Sequence, residues 1–202
     1  MSSTISPIGT LVLAAGQAKR MGFPKQLLEW RGETLVHRMA RIALALKVGP
    51  VVLVTGAYAN EVETSVNDLP LPLAHNPNWQ SGMSSSIQTG LHHLLTHQPN
   101  LQHLLILLVD QPFVDQAILT AMLHQYAQER PTLLASQYGQ SLGVPAIFSS
   151  SLFPHLQQLA GEKGAKRILL AHTDAIFPFP KAAIDLDTPE EWEAFLNELR
   201  DQ

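Results

Sequence analysis

A chain of 202 residues with 46% hydrophobic and 15% charged residues is long enough for one sizeable core, and its formal net charge of -4 lacks the basic excess of a nucleic-acid binder. The chain has no cysteine, which excludes disulfides, thiolate nucleophiles and thiolate metal ligands and leaves oxygen and imidazole for any metal. No apolar run approaches the roughly 18 residues that span a bilayer, and the opening MSSTISPIGT has no charged segment leading into an apolar one. One domain acting in the cytoplasm, with no membrane or nucleic-acid partner, is expected.

Residues 11–15 (LVLAA) form a short apolar run of strand type, and it passes directly into a segment holding Gly16, Gly22, Lys19, Arg20 and Lys25. Backbone N–H groups approach an anion closely only where Cβ is absent, and a guanidinium and an ammonium on the same loop neutralise charge from two directions. The residue types suit a polyphosphate, and they also suit an ordinary strand-to-helix loop with surface charges. Neither the Walker ending nor the three-glycine dinucleotide spacing is present.

Residues 27–30 read as a short extended piece before a turn at Arg31-Gly32. Leu35, Val36, Met39, Ala40, Ile42, Ala43 and Leu46 then repeat at helical spacing, with Gly49-Pro50 as a stop. Residues 51–55 (VVLVT) are a buried-strand run, 60–67 a weaker helix and 71–75 a short third strand. This alternation predicts a parallel sheet with helices on its faces.

The stretch 76–90 (NPNWQSGMSSSIQTG) places a Gly-Met step and three serines before a helix from Ser84 to about Leu95. Such a start offers N–H groups and hydroxyls to a ligand, or serves as a plain N-cap. Residues 104–109 (LLILLV) are the most apolar strand and end at Asp110-Gln111-Pro112. Ligands of open α/β sheets bind at the carboxyl ends of strands, which makes Asp110 the first candidate for chemistry, with a turn before proline as the other account.

A helix is predicted over 116–129, a strand over 132–136, and a glycine-containing connection over 137–144 leading into 145–148. Gly161 to Arg167 is a basic turn that starts another helix. Residues 182–186 are the last strand expected. Thr188, Pro189 and Glu191 make a capping box after it, while Asp185 and Asp187 project to one side of that strand. His92, His93, His97 and His103 are read as polar-face or boundary residues and assigned no chemistry.

The loop LAAGQAKRMGFPKQLL closely resembles the signature L-A-(A/G)-G-x-x-x-R-M-G-x-x-K of the MobA-like nucleotidyltransferases, and Ala14-Ala15-Gly16 with Pro24-Lys25-Gln26 resembles the molybdenum cofactor cytidylyltransferase branch. The resemblance extends to Asp110-Gln111-Pro112, to the basic turn and to Asp185-Leu186-Asp187-Thr188-Pro189. It implies a Rossmann-like α/β three-layer sandwich with a mostly parallel sheet. It also implies nucleotidyl transfer from a nucleoside triphosphate, CTP by analogy with the branch, to molybdopterin, with a molybdoenzyme apoprotein as a further partner.

By the same resemblance Arg20 and Lys25 handle the phosphates, and Ala14, Ala15, Gly16 and Gly22 form the phosphate loop. Asn76, Gly82, Ser85 and Ser86 line the base and ribose, and Mg2+ is held by Asp110 and by Asp187 in preference to Asp185. One departure concerns the acceptor: Gly143-Val144-Pro145 stands where relatives often carry Gly-His-Pro. A sugar phosphate or another phosphorylated acceptor stays open for that reason, and so does a non-catalytic partner that delivers the cofactor to a molybdoenzyme.

Overall fold

The computed structural model describes residues 7–18, 21–161, 164–183 and 188–200. In chain order these form β1 (Ile8–Leu13), β2 (Glu29–Trp30), β3 (Glu33–Thr34), α1 (Leu35–Ala45), β4 (Val51–Thr55), α2 (Ala59–Ser65), β5 (Leu73–His75) and α3 (Met83–His97). Then follow β6 (His103–Leu108), α4 (Gln116–Glu129), β7 (Leu133–Tyr138), β8 (Ser141–Ser149), α5 (Phe153–Gln157), α6 (Lys166–His172), β9 (Ala175–Pro178) and α7 (Pro189–Arg200).

Seven strands make one sheet in the order β5-β4-β1-β6-β8-β7-β9. All of these except β8 run in one direction, and β8 is antiparallel to both β6 and β7. The sheet is buried on both sides, so its central strands are continuous apolar runs. Along β1, Ile8 and Val12 face one layer while Leu11 and Leu13 face the other. Val36, Met39 and Ala40 of α1 and Leu119, Met122 and Tyr126 of α4 cover the first side. Ile87, Leu91 and Leu94 of α3, Phe153 and Leu156 of α5, and Ile168 and Leu169 of α6 cover the second. Each fully buried leucine of this kind contributes about 1.5–3 kcal/mol relative to exposure. No helix among the described residues is long and apolar enough to cross a membrane.

Local chemistry fixes the helix starts. Thr34 Oγ1 accepts from the His37 N–H at 3.2 Å, and Asp115 accepts from the Ile118 N–H at 2.8 Å. The expected capping box is present at α7: the Thr188 N–H donates to Glu191 at 2.9 Å and the Glu191 N–H donates to Thr188 Oγ1 at 3.2 Å. Phe195 then docks α7 on Trp30 and Phe113 with ring centroids 5.2 and 5.4 Å apart.

Three expectations are corrected. Residues 25–27 form a 3-10 turn, so the extended piece begins at Glu29. The glycine-containing connection is a tight hairpin in which Ser141–Val144 already belong to β8, because Tyr138 pairs with Ser141 across Gly139, whose φ is 59°. The last described strand is β9, earlier than expected, and residues 182–183, the described part of the expected span, belong to a 3-10 turn over 180–183. Residues 184–187 lie outside the described residues.

His37 ties α1 to two other segments, with Nδ1 3.2 Å from Glu33 and Nε2 3.1 Å from Asp68. Burial pushes its pKa down, but the hydrogen bonds to Asp68 and Glu33 outweigh burial and the net shift is upward from 6.5. A pKa higher in the folded than in the unfolded chain favours folding when the ring is protonated. This contribution is complete below the unfolded pKa and is lost as pH rises through the folded one. The melting temperature of the wild type is therefore expected to fall more between pH 6 and pH 8 than that of His37→Gln; parallel curves in a thermal melt series would remove His37 as the cause.

Candidate active site

From β1 the chain goes outward to β4 and β5, and it returns later to place β6 on the other flank of β1. The connections that leave the adjoining carboxyl ends of β1 and β6 therefore run to opposite sides, a topological switch point where open α/β sheets bind ligands. A cavity of about 610 Å³ opens there, lined by Ala14, Ala15, Gly16, Lys25, Gly82, Ser86 and Asp110 of the residues expected from sequence. Gly22, Asn76 and Ser85 are not in its lining. Arg20 and Asp187, with Lys19 and Asp185, lie outside the described residues.

The floor of the cavity is an ion pair between Lys25 Nζ and Asp110 Oδ2, groups 85 residues apart in sequence. The side chains are 15% and 14% exposed, so the attraction acts at lower effective dielectric than at the surface. Lys25 is delivered by a 3-10 turn that follows Pro24, whose φ of -66° suits a turn start. Asp110 Oδ1 is buried and meets no donor among the described residues. A carboxylate with one oxygen on an ammonium and the other unengaged suits a hard cation, and the ammonium can pass to a phosphate oxygen of a bound ligand.

The facing wall is the turn before α3. Asn76 is 1% exposed, and its side chain is spent on the protein. Nδ2 donates to Ser85 Oγ at 2.9 Å and to Ser86 Oγ at 3.0 Å, while Oδ1 accepts from the Asn78 N–H at 2.9 Å. Asn76 is therefore a strut beneath the wall and does not face the cavity. Ser85 Oγ also lies 2.8 Å from the Gly82 carbonyl, as a serine closing the first turn of a helix does. Gly82 holds φ 93° and ψ -177°, a conformation that Cβ disfavours, and with Met83 and Ser86 of the first turn of α3 it lines the cavity.

The sequence assigned no site role to Gln26, Trp79, Gln80 or Met83, which also line the cavity. It also passed over Gly56, where a Cβ would stand 2.6 Å from the Ala15 carbonyl oxygen and 2.9 Å from Trp79 Cβ. Gly56 thus lets the β1 loop, the end of β4 and the Trp79 turn meet. Its signal was available, since it directly follows VVLVT at a carboxyl strand end. Val144 stands near the ion pair through Gln111, whose Nε2 donates to the Val144 carbonyl at 2.9 Å. His93 and His97 stand four residues apart on α3, with rings 4.5 Å apart. No group of three metal-ligating side chains occurs among the described residues.

The model of the MobA-like NTP transferase domain matches residues 10–176, which span β1 through the start of β9 and include every described cavity residue. The chain belongs to the MobA-like NTP transferase domain family. It is a nucleotidyltransferase of that kind, and its sheet is the family's mostly parallel α/β architecture. The "Nicotine blue oxidoreductase" of Paenarthrobacter nicotinovorans is 34% identical over 180 residues, covering 84% of this chain and 85% of that protein. The "Molybdenum cofactor cytidylyltransferase" of Escherichia coli is 31% identical over 100 residues, 46% of this chain and 52% of that one. The fold is shared with the Rv0371c protein of Mycobacterium tuberculosis solved in complex with manganese, at TM-score 0.78 and 23% identity over 95% of this chain and 98% of that one.

In a MobA-like domain with this wall, Asn76→Ala removes two donated bonds and one accepted bond from a buried turn. A loss of about 1–3 kcal/mol in folding stability is expected from the stranded Asn78 N–H and serine hydroxyls. Chemical denaturation of the variant checks it, and a cost near zero would mean that the turn is held by other contacts.

Proposed function

We propose that this protein transfers a cytidylyl group from CTP to the terminal phosphate of a molybdopterin-type acceptor with release of pyrophosphate. The observation that carries the reading is the Lys25–Asp110 pair at the adjoining carboxyl ends of β1 and β6, beneath the Ala14-Ala15-Gly16 turn. The 31% identity to the Escherichia coli cytidylyltransferase supports the choice of donor and acceptor.

A phosphate oxygen of the acceptor attacks the α-phosphorus, a new P–O bond forms, and the bond to the bridging oxygen breaks with its electron pair leaving on pyrophosphate. An ionised phosphate needs no general base. The β1 loop and the first turn of α3 present backbone N–H groups to the triphosphate, and the Lys25 ammonium offsets charge that builds on the α-phosphoryl oxygens. The ion pair with Asp110 orients the Lys25 ammonium for that role.

A divalent cation fits the same place. The buried Oδ1 of Asp110 is a hard ligand atom without a partner among the described residues, and Asp187, outside them, is the expected companion. The manganese complex of the Mycobacterium tuberculosis protein supports a divalent ion. Such an ion, Mg2+ in the cell, would supply positive charge to the triphosphate oxygens.

The test is pyrophosphate release by the purified protein with CTP or GTP, Mg2+, and molybdopterin. Release that requires CTP and the pterin is expected; release with GTP in place of CTP would correct the donor, and release only with sugar phosphates would correct the acceptor. No release with any acceptor would leave cofactor delivery. A second reading, oxidoreduction of nicotine blue, is favoured by the 34% identical "Nicotine blue oxidoreductase", and loss of nicotine blue absorbance in the presence of the protein and a reductant, absent without the protein, would establish it. Lys25→Ala is expected to lower turnover by about 100-fold or more with a smaller change in CTP affinity. Equal losses in both, read from initial rates and equilibrium binding, would show that Lys25 serves ground-state binding. Asp110→Ala is expected to be inactive at ordinary Mg2+ concentrations in the same assay, and an active variant would move the metal elsewhere.

A further inference from the structure

Gln26 follows the lysine of the ion pair and is 1% exposed, a rare degree of burial for this residue type. Its Nε2 donates to the Ala14 carbonyl at 3.1 Å and to the Gly16 carbonyl at 2.6 Å. Both carbonyls belong to the turn that leaves β1, so one carboxamide spends both its protons on the segment that borders the cavity. Two further contacts hold that segment from the other side. The Ala14 N–H donates to Val54 O at 2.9 Å, and Ala15 O accepts from the Ala57 N–H at 3.1 Å. Ala14, Ala15 and Gly16 are therefore pinned residue by residue, Ala15 by the β4 end and its neighbours by Gln26.

The remaining atom, Oε1 of this cavity-lining residue, is buried and meets no donor among the described residues. A carboxamide whose two protons point into carbonyls has its oxygen directed away from them, as an acceptor of fixed orientation. We propose that Gln26 is a positioning residue for nucleotide binding: it holds the Ala14–Gly16 backbone in its ligand-ready shape, and Oε1 accepts a hydrogen bond from an N–H or O–H group of a seated nucleotide. This rests on the nucleotidyl-transfer reading for its ligand and not for its structural half. Lys25 and Gln26 occupy one 3-10 turn, so a single short segment both charges the floor of the cavity and fixes its neighbouring backbone.

The role belongs to an uncharged donor. In Gln26→Met the shape is retained and both donors are lost. In Gln26→Glu the ionised carboxylate cannot donate and faces two carbonyl oxygens, whereas the protonated acid donates one bond; burial and those oxygens raise its pKa.

Hydrogen exchange of the free proteins is the first measurement, and CTP and GTP titrations followed by Trp79 fluorescence are the second. Gln26→Met is expected to speed exchange across residues 14–17 at least tenfold while the amides of Val12 and Val52 stay as in the wild type. The same variant is expected to bind nucleotide at least tenfold more weakly, with turnover at saturation less affected. Gln26→Glu is expected to bind weakly at pH 8 and to recover as pH falls toward 6, a trend that the wild type lacks. Unchanged exchange across 14–17 in Gln26→Met overturns the structural half. Binding within twofold of the wild type, or a Gln26→Glu profile that parallels the wild type, overturns the positioning role. A wild type that binds neither nucleotide rejects the nucleotidyl-transfer reading and the role of Oε1 together, and the exchange result then stands by itself.

Discussion

The arrangement depends on the parallel pairing of β1 with β6, Ile8 through Leu13 against His103 through Leu108. That register brings two carboxyl strand ends level with each other, so the loops that follow them share one crevice. Side chains alternate along a strand, and a slip of one residue would send Leu11 and Val12 to the wrong layers. Both layers being apolar and packed, the register is strongly specified. The meeting of Lys25 with Asp110 across 85 residues of chain is a consequence of this pairing and of no local preference.

The crevice is built by buried amides on one side and an ion pair on the other. Asn76 and Gln26 are each 1% exposed, and each spends both donor protons on neighbouring protein oxygens. They occupy opposite walls, one under the α3 turn and one under the β1 turn. Groups fixed before a ligand arrives need no reorganisation when charge develops in a reaction, and this is the main way a protein assists phosphoryl chemistry. Lys25 and Asp110 lie between the walls with most of their surface covered, which strengthens their effect on any anion placed there.

Much of the fold is visible in the sequence because burial on two sides makes strands into uninterrupted apolar runs. Residues 51–55 were expected as a strand and are β4 to the residue. The failures share a cause. Strand β9 has the sequence AIFP, at the sheet edge, with Ile176 41% exposed and a proline at its end. Nothing in such a segment marks a strand until β7 is beside it and Gln125 donates to its Ile176 carbonyl at 3.0 Å. The β7–β8 turn was read as a longer connection because residues 137–143 mix two glycines and three polar residues with Tyr138 and Leu142 and have no regular apolar alternation, and cross-strand pairing supplies what periodicity does not.

By itself the sequence determined the local matters: which runs become strands, where helices α1, α4 and α7 start, and that a glycine-bearing cationic loop follows the first strand. Each follows from side-chain type and spacing over a few residues, through burial, capping and the absence of Cβ. Tertiary structure decided that Lys25 faces Asp110, that Asn76 supports the wall and does not line it, and that Gln26 clamps the β1 turn. Those outcomes require groups brought together by strand order, because a hydrogen bond or ion pair is defined by positions in space, and residue type by itself leaves the partner unspecified.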